Sequence, residues 1–95
     1  PEMLFAGGYA ACFDSALNLV IHKSKIKTGT TATTAKVSIG QNDEGGFKLA
    51  VDLHTNIPDV SLEEAQNLIE KAHSICPYSN ATRGNIEVNL TVSNN

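Results

Sequence analysis

Apolar side chains crowd the start of the chain without leaving a polar stripe. From Leu4 to Ile21 (LFAGGYAACFDSALNLVI) they include Leu4, Phe5, Ala6, Ala10, Ala11, Phe13, Ala16, Leu17, Leu19, Val20 and Ile21. A helix apolar on every face belongs in a core rather than on a surface. The pattern predicts a helix from about Glu2 to Lys23, opened by Pro1 and Glu2 as a helix opens inside a longer protein. The run is only marginally long enough to span a bilayer, and Asp14, Ser15 and Asn18 interrupt it, so it reads as a buried core helix. Gly7 and Gly8 weaken it by about 1 kcal/mol each relative to alanine and admit a close neighbour. Lys23, Lys25 and Lys27 form a polar exit, and Gly29 punctuates the loop.

The rhythm then changes to two. Between Thr31 and Ile39, Thr33, Ala35, Val37 and Ile39 alternate with Thr34, Lys36 and Ser38, the mark of a strand with one buried face. Gly40 to Gly46 (GQNDEGG) is dense in turn formers. Phe47, Leu49, Val51, Leu53, Thr55 and Ile57 then alternate with Lys48, Asp52, His54 and Asn56, a second strand expected to pair with the first as a hairpin. Pro58 ends it. Helical spacing returns with Leu62, Ala65, Leu68, Ile69, Ala72 and Ile75, behind a capping box of Ser61 and Glu64. Pro77 stops this helix, CPYSNATRG reads as a loop, and Ile86, Val88, Leu90 and Val92 alternate as a last strand. The order helix, strand, strand, helix, strand predicts one α+β domain over residues 1–95, a buried central helix against a mainly antiparallel sheet.

Composition narrows the partners. The 95 residues are 41% apolar and 18% charged, with a net charge of -3 and a single arginine, Arg83. That balance argues against nucleic acid or an anionic membrane as the main partner. With no secretory pattern and no second long apolar run, a cytoplasmic location is expected. The opening Pro1-Glu2 also suggests an N-terminal segment upstream of this numbering. An all-round apolar helix needs more cover than the remaining chain gives, so missing strands or a second subunit are expected to supply it.

Two cysteines are the main candidates for chemistry. Cys12 lies mid-helix and is expected to be buried, while Cys76 lies at a helix end beside Pro77. By type alone each is either an inert small hydrophobe or a reactive thiol, and the residues by themselves leave both readings open. His73 and Cys76 can share a helix face, but Cys12, His22 and His54 lack zinc-like spacing with them, so no metal is expected. No serine sits in a nucleophile elbow, Gly7-Gly8 lies inside a helix rather than in a phosphate loop, and no cofactor is implied. Glu2 at a helix start is favoured by the dipole whether or not it has another role. Arg83 reads as a loop or helix-end hydrogen-bonding residue.

Two blocks make the sequence less generic. PEMLFAGGYAACFDSALNLV resembles the central-helix motif of the organic hydroperoxide resistance proteins (Ohr) of the OsmC/Ohr family, and HSICPYSNATRGNIEVNLTV resembles their second-cysteine motif. The intervening TTATTAKVSIG, FKLAVDLHTNIP and SLEEAQNLIEKAH run parallel to the same proteins, so the resemblance covers essentially the whole chain. It implies an OsmC/Ohr-like fold whose N-terminal strands precede Pro1, and a thiol peroxidase acting in oxidative stress defence. Cys12 falls on the family's peroxidatic cysteine, Cys76 on the resolving one, and Glu2 on the carboxylate that orients a catalytic arginine. That arginine belongs to the family's N-terminal strands, and Arg83 does not take its place.

The implied cycle is physically coherent. A buried thiol is hard to ionise, so Cys12 needs a cation and hydrogen bonds. Its thiolate attacks a peroxide, becomes a sulfenic acid, and condenses with Cys76 to an intramolecular disulfide. The resemblance further implies an organic hydroperoxide substrate, a dihydrolipoyl reductant or lipoylated protein, and an intertwined homodimer. Leu4, Phe5, Phe13 and Leu17 are the expected apolar lining of the substrate pocket. The alternatives are an OsmC-type peroxidase with another peroxide preference, or a catalytically inactive dimeric scaffold; the NATRG block after CPYS favours Ohr.

Overall fold

The computed structural model describes all of residues 1–95. Helix α1 (Glu2–Ser24) is followed by strands β1 (Ala32–Gln41) and β2 (Phe47–Asn56), helices α2 (Leu62–Ile75) and α3 (Pro77–Thr82), and strand β3 (Glu87–Ser93). The α+β class and the helix, strand, strand, helix, strand order stand, with α3 as an addition where the sequence suggested a loop. Cys76 caps α3 and Pro77 occupies its first turn, where the missing N–H costs nothing. The same proline that ends α2 therefore starts α3.

The sheet is mixed, in the order β1-β2-β3. β1 and β2 pair antiparallel along their full ten residues, Ala32 opposite Asn56 and Gln41 opposite Phe47. β3 joins the other edge of β2 in parallel, with Val51 opposite Val88 and Leu53 opposite Leu90. A parallel neighbour needs a crossover too long for a hairpin, and α2 and α3 provide it. Antiparallel pairing remains the longer of the two ladders, as expected, and the parallel ladder is what strand alternation alone left unspecified.

The core lies between the helices and one face of the sheet. α1 contributes Tyr9, Phe13, Ala16, Leu17, Val20 and Ile21, β2 contributes Val51 and Leu53, and α2 contributes Ala65, Leu68, Ile69 and Ala72. Ser61 caps α2 by accepting a 3.1 Å hydrogen bond from the Glu64 backbone N–H, which bears out the start of that helix. α1 departs from expectation: only one face is buried within the chain, while Met3 and Leu4 are 86% and 83% exposed and Leu19 is 46% exposed. The helix is long and apolar enough to cross a bilayer by length and composition, but its Tyr9–Ile21 face packs as the spine of this chain's own core. Ile39 and Phe47, at the turn end of the β1–β2 hairpin, also stand outside the core.

Asp14 and Asn18, inside α1, have structural partners. Asp14 Oδ1 accepts from Thr31 Oγ1 at 2.8 Å and from Thr33 Oγ1 at 3.0 Å, and Asp14 Oδ2 accepts from Asn18 Nδ2 at 3.1 Å. Thr33 spends its proton on Asp14, so in its 3.1 Å contact with the buried Thr55 it is Thr55 that donates. One carboxylate thus anchors a hydroxyl chain that ties α1 to β1 and β2. Replacing it (Asp14→Ala) is expected to cost about 1–3 kcal/mol, the scale of stranding part-buried hydroxyls. Urea unfolding of the variant against the parent measures this directly.

Candidate active site

Cys12 and Cys76 come from different helices and meet in space. Both are free thiols, and their Sγ atoms lie 3.4 Å apart. α1 presents Cys12 one turn beyond Tyr9, and the α2–α3 elbow presents Cys76 as the residue shared by both helix ends. The burial of Cys12 departs from the sequence expectation: it is only half-buried, while Cys76 is fully buried. The elbow folds Cys76 inward under Pro77, whereas Cys12 sits at the margin of the α1 face that packs.

An open hollow of about 480 Å³ borders Cys12, lined also by Ser15, Ala16, Leu19, Ile75 and Pro77. Leu4, Phe5, Phe13 and Leu17, expected as pocket lining, do not border it. Phe13 and Leu17 are fully buried core residues and Leu4 is solvent-facing. Phe5 instead joins an aromatic cluster, edge-on to Tyr9 and stacked on Tyr78. Another hollow of about 460 Å³ lies at the far end of α1, around Ile21, His22 and Lys25, and contains no thiol.

Burial pushes the Cys12 thiol above its ordinary pKa; the Tyr78 backbone N–H facing the sulfur works in the opposite direction, and the adjacent Cys76 adds to the rise. No cation of this chain offsets it. Arg83 is committed elsewhere, donating to the His73 carbonyl and to Asn80 Oδ1, each at 2.6 Å. Glu2 lies in the first turn of α1, 3.7 Å from the Pro1 amino group. It is ten residues before Cys12, roughly 15 Å along the helix axis.

Behind the thiols lies a polar cluster that pattern reading passed over. The Tyr9 hydroxyl meets Ser79 Oγ at 2.8 Å and Thr82 Oγ1 at 3.2 Å, and Ser79 Oγ meets His73 Nδ1 at 2.8 Å. His73 is held below its ordinary pKa by burial and by the charge of Arg83. Tyr78 packs against Gly8, where a Cβ would stand 3.3 Å from the ring, so the glycine makes room for a side chain. A tyrosine in an otherwise apolar buried run was the available signal, because a buried phenol requires a polar partner.

Comparisons with known proteins give the family. An OsmC-like protein family model matches residues 1–91. The chain belongs to the OsmC-like family. Within it, the chain is 49% identical over 94 residues to the organic hydroperoxide resistance protein of Xanthomonas axonopodis pv. citri, a match covering 98% of this chain and 66% of that protein. Among solved structures, the organic hydroperoxide resistance protein of Elizabethkingia anophelis is 76% identical with a TM-score of 0.98, covering all of this chain and 68% of that one. The OhrB protein of Bacillus subtilis is 45% identical with a TM-score of 0.93, covering 98% of this chain and 69% of that one. The chain thus spans about two thirds of the length of these OsmC-like relatives.

The raised thiol sets a pH signature for this OsmC-like site. The protonated form of Cys12 persists through neutral pH, and reactivity climbs as pH rises through the raised pKa. Iodoacetamide labelling followed by peptide mass spectrometry is expected to give a Cys12 midpoint above that of an ordinary thiol. In Cys76→Ala the midpoint moves down, because the neighbouring thiol is gone, yet stays above the ordinary value, because burial remains the larger cause.

Proposed function

We propose that this chain carries the thiol site of a peroxidase that reduces organic hydroperoxides to alcohols in oxidative stress defence. The observation behind this reading is the 3.4 Å approach of two free thiols, one half-open beside an apolar hollow and the other sealed. The names of the OsmC-like relatives point to the same substrate class.

In the proposed reaction the Cys12 thiolate attacks the distal oxygen of the hydroperoxide. The O–O bond breaks, and the alkoxide leaves and takes up a proton as the alcohol. The sulfur, oxidised by two electrons, keeps the oxygen as a sulfenic acid. The Cys76 sulfur then bonds to the Cys12 sulfur, its proton leaves with the hydroxyl as water, and a disulfide remains. A dihydrolipoyl group, free or protein-bound, returns two electrons and two protons and leaves oxidised as its own disulfide.

Burial opposes the first step, so the thiolate needs a cation. In this proposal it is the family's arginine, supplied from before Pro1 and oriented by Glu2. Ala16, Leu19, Ile75 and Pro77 make a hollow suited to an alkyl group rather than to water-like hydrogen peroxide. A homodimer in the cytoplasm completes the proposal, with the exposed Met3 and Leu4 among the surfaces a second copy would cover. The raised pKa of Cys12 favours a second reading for the chain by itself, an inactive dimeric scaffold.

Free-thiol count and intact mass after one equivalent of cumene hydroperoxide, with hydrogen peroxide as control, separate the readings. Both thiols are expected to disappear together into one intramolecular disulfide, faster with the organic peroxide. Cys12→Ser is expected to lower peroxide consumption by at least about 100-fold, as loss of a nucleophile does. Cys76→Ser is expected to keep the first turnover and stop at a sulfenic acid. Thiols that react no faster than a free thiol in solution overturn the peroxidase reading.

A further inference from the structure

Only one set of proton positions lets the cluster behind the thiols make all four of its contacts at once. Thr82 Oγ1 donates to the Ser79 carbonyl at 3.2 Å, so its contact with Tyr9 is one in which the phenol donates. Tyr9 has then spent its proton, and Ser79 Oγ must donate to the phenol oxygen. Ser79 in turn accepts from His73, which fixes the proton on Nδ1. The chain His73 to Ser79 to Tyr9 to Thr82 to the Ser79 carbonyl then runs in one direction, and that carbonyl also accepts the Arg83 backbone N–H at 2.9 Å.

Its placement relative to the thiols is regular. Tyr9 precedes Cys12 by three residues on α1, His73 precedes Cys76 by three on α2, and Ser79 follows Cys76 by three on α3. Each polar residue therefore shares a helix face with a cysteine. Ser79 is fully buried and joins all three helices at one oxygen. α3 is only six residues long and has little internal stability of its own. What docks α3 also holds the Tyr78 N–H toward the Cys12 sulfur and keeps Cys76 turned inward.

We propose that Ser79 is a positioning residue of the thiol pair: through Tyr9 and His73 it locks α3 against α1 and α2, and so holds the Tyr78 N–H at Cys12 and Cys76 beside it. The role concerns thiol geometry in the peroxidase reading above, and it is tested without peroxide. Arg83 reinforces the same elbow from outside by bonding the His73 carbonyl and Asn80.

The test uses the full chain with Ser79→Ala and Tyr9→Phe, the second keeping the buried ring and removing only the hydroxyl. Ile69→Val, a core change that leaves every hydroxyl and the imidazole of the cluster in place, serves as a control for lost stability. Two rates are read: iodoacetamide alkylation of Cys12 across pH, and closure of the Cys12–Cys76 disulfide by diamide, which accepts the two electrons and two protons. Ser79→Ala and Tyr9→Phe are each expected to slow both by about tenfold at fixed pH, the scale of losing a hydrogen bond to a charged group, and to move the alkylation midpoint upward. Ile69→Val is expected to leave both unchanged. Unchanged rates in Tyr9→Phe, or equal changes in the Ile69→Val control, overturn the proposal. Slowed alkylation and closure in a protein that ignores cumene hydroperoxide would sink the peroxidase reading and leave the positioning role standing.

Discussion

Four side chains at four-residue spacing on α1, namely Tyr9, Phe13, Leu17 and Ile21, form the contact on which the molecule depends. They make a ridge that fits against α2 and the covered face of the sheet. Each is buried, so the rotation of α1 about its own axis is fixed by packing on several sides at once. That rotation decides which other residues of the helix face inward, sideways or out. Cys12, one position before Phe13, is left at the edge of the packed face, where it is both supported and reachable.

A second set of contacts fixes how far α1 sits along the sheet. Asp14 gathers hydroxyls from Thr31 and Thr33, and through Thr33 the buried Thr55. Aromatic contacts do the same at the other end, where Phe5 and Tyr9 meet Tyr78. Ridge, carboxylate and aromatic cluster act on one helix from three directions. The thiol separation is therefore a property of the whole packing arrangement rather than of the two cysteines.

Much of this was legible in the sequence because it is periodic or local. Alternation located β1, β2 and β3, and the Ser61–Glu64 spacing located the start of α2. What was not legible depends on which elements come together. The parallel partner of β2 is chosen by the crossover through α2 and α3, which strand alternation does not encode. An apolar circumference on α1 does not reveal which face finds cover, so Leu4 and Phe13 read alike yet lie on opposite sides of the surface. The unequal burial of the cysteines has the same origin: a mid-helix place suggested a sealed Cys12, yet it lies at the margin of the packed face, and the Cys76-Pro77 elbow is what turns Cys76 inward. Tyr9, His73, Ser79 and Thr82 lie far apart along the chain, and only the folded arrangement makes them neighbours.

That unequal burial imposes an order on events. Any electrophile arriving from solution meets Cys12 first, since Cys76 has no exposed surface from which to compete. Once Cys12 has been modified, its partner waits at contact distance while every further molecule of reagent must diffuse in. Intramolecular reactions of well-oriented groups correspond to effective molarities of about 10⁵–10⁸ M, far above any attainable reagent concentration. Two identical functional groups are thereby given unequal standing by packing alone, one reachable from solution and the other held in contact behind it.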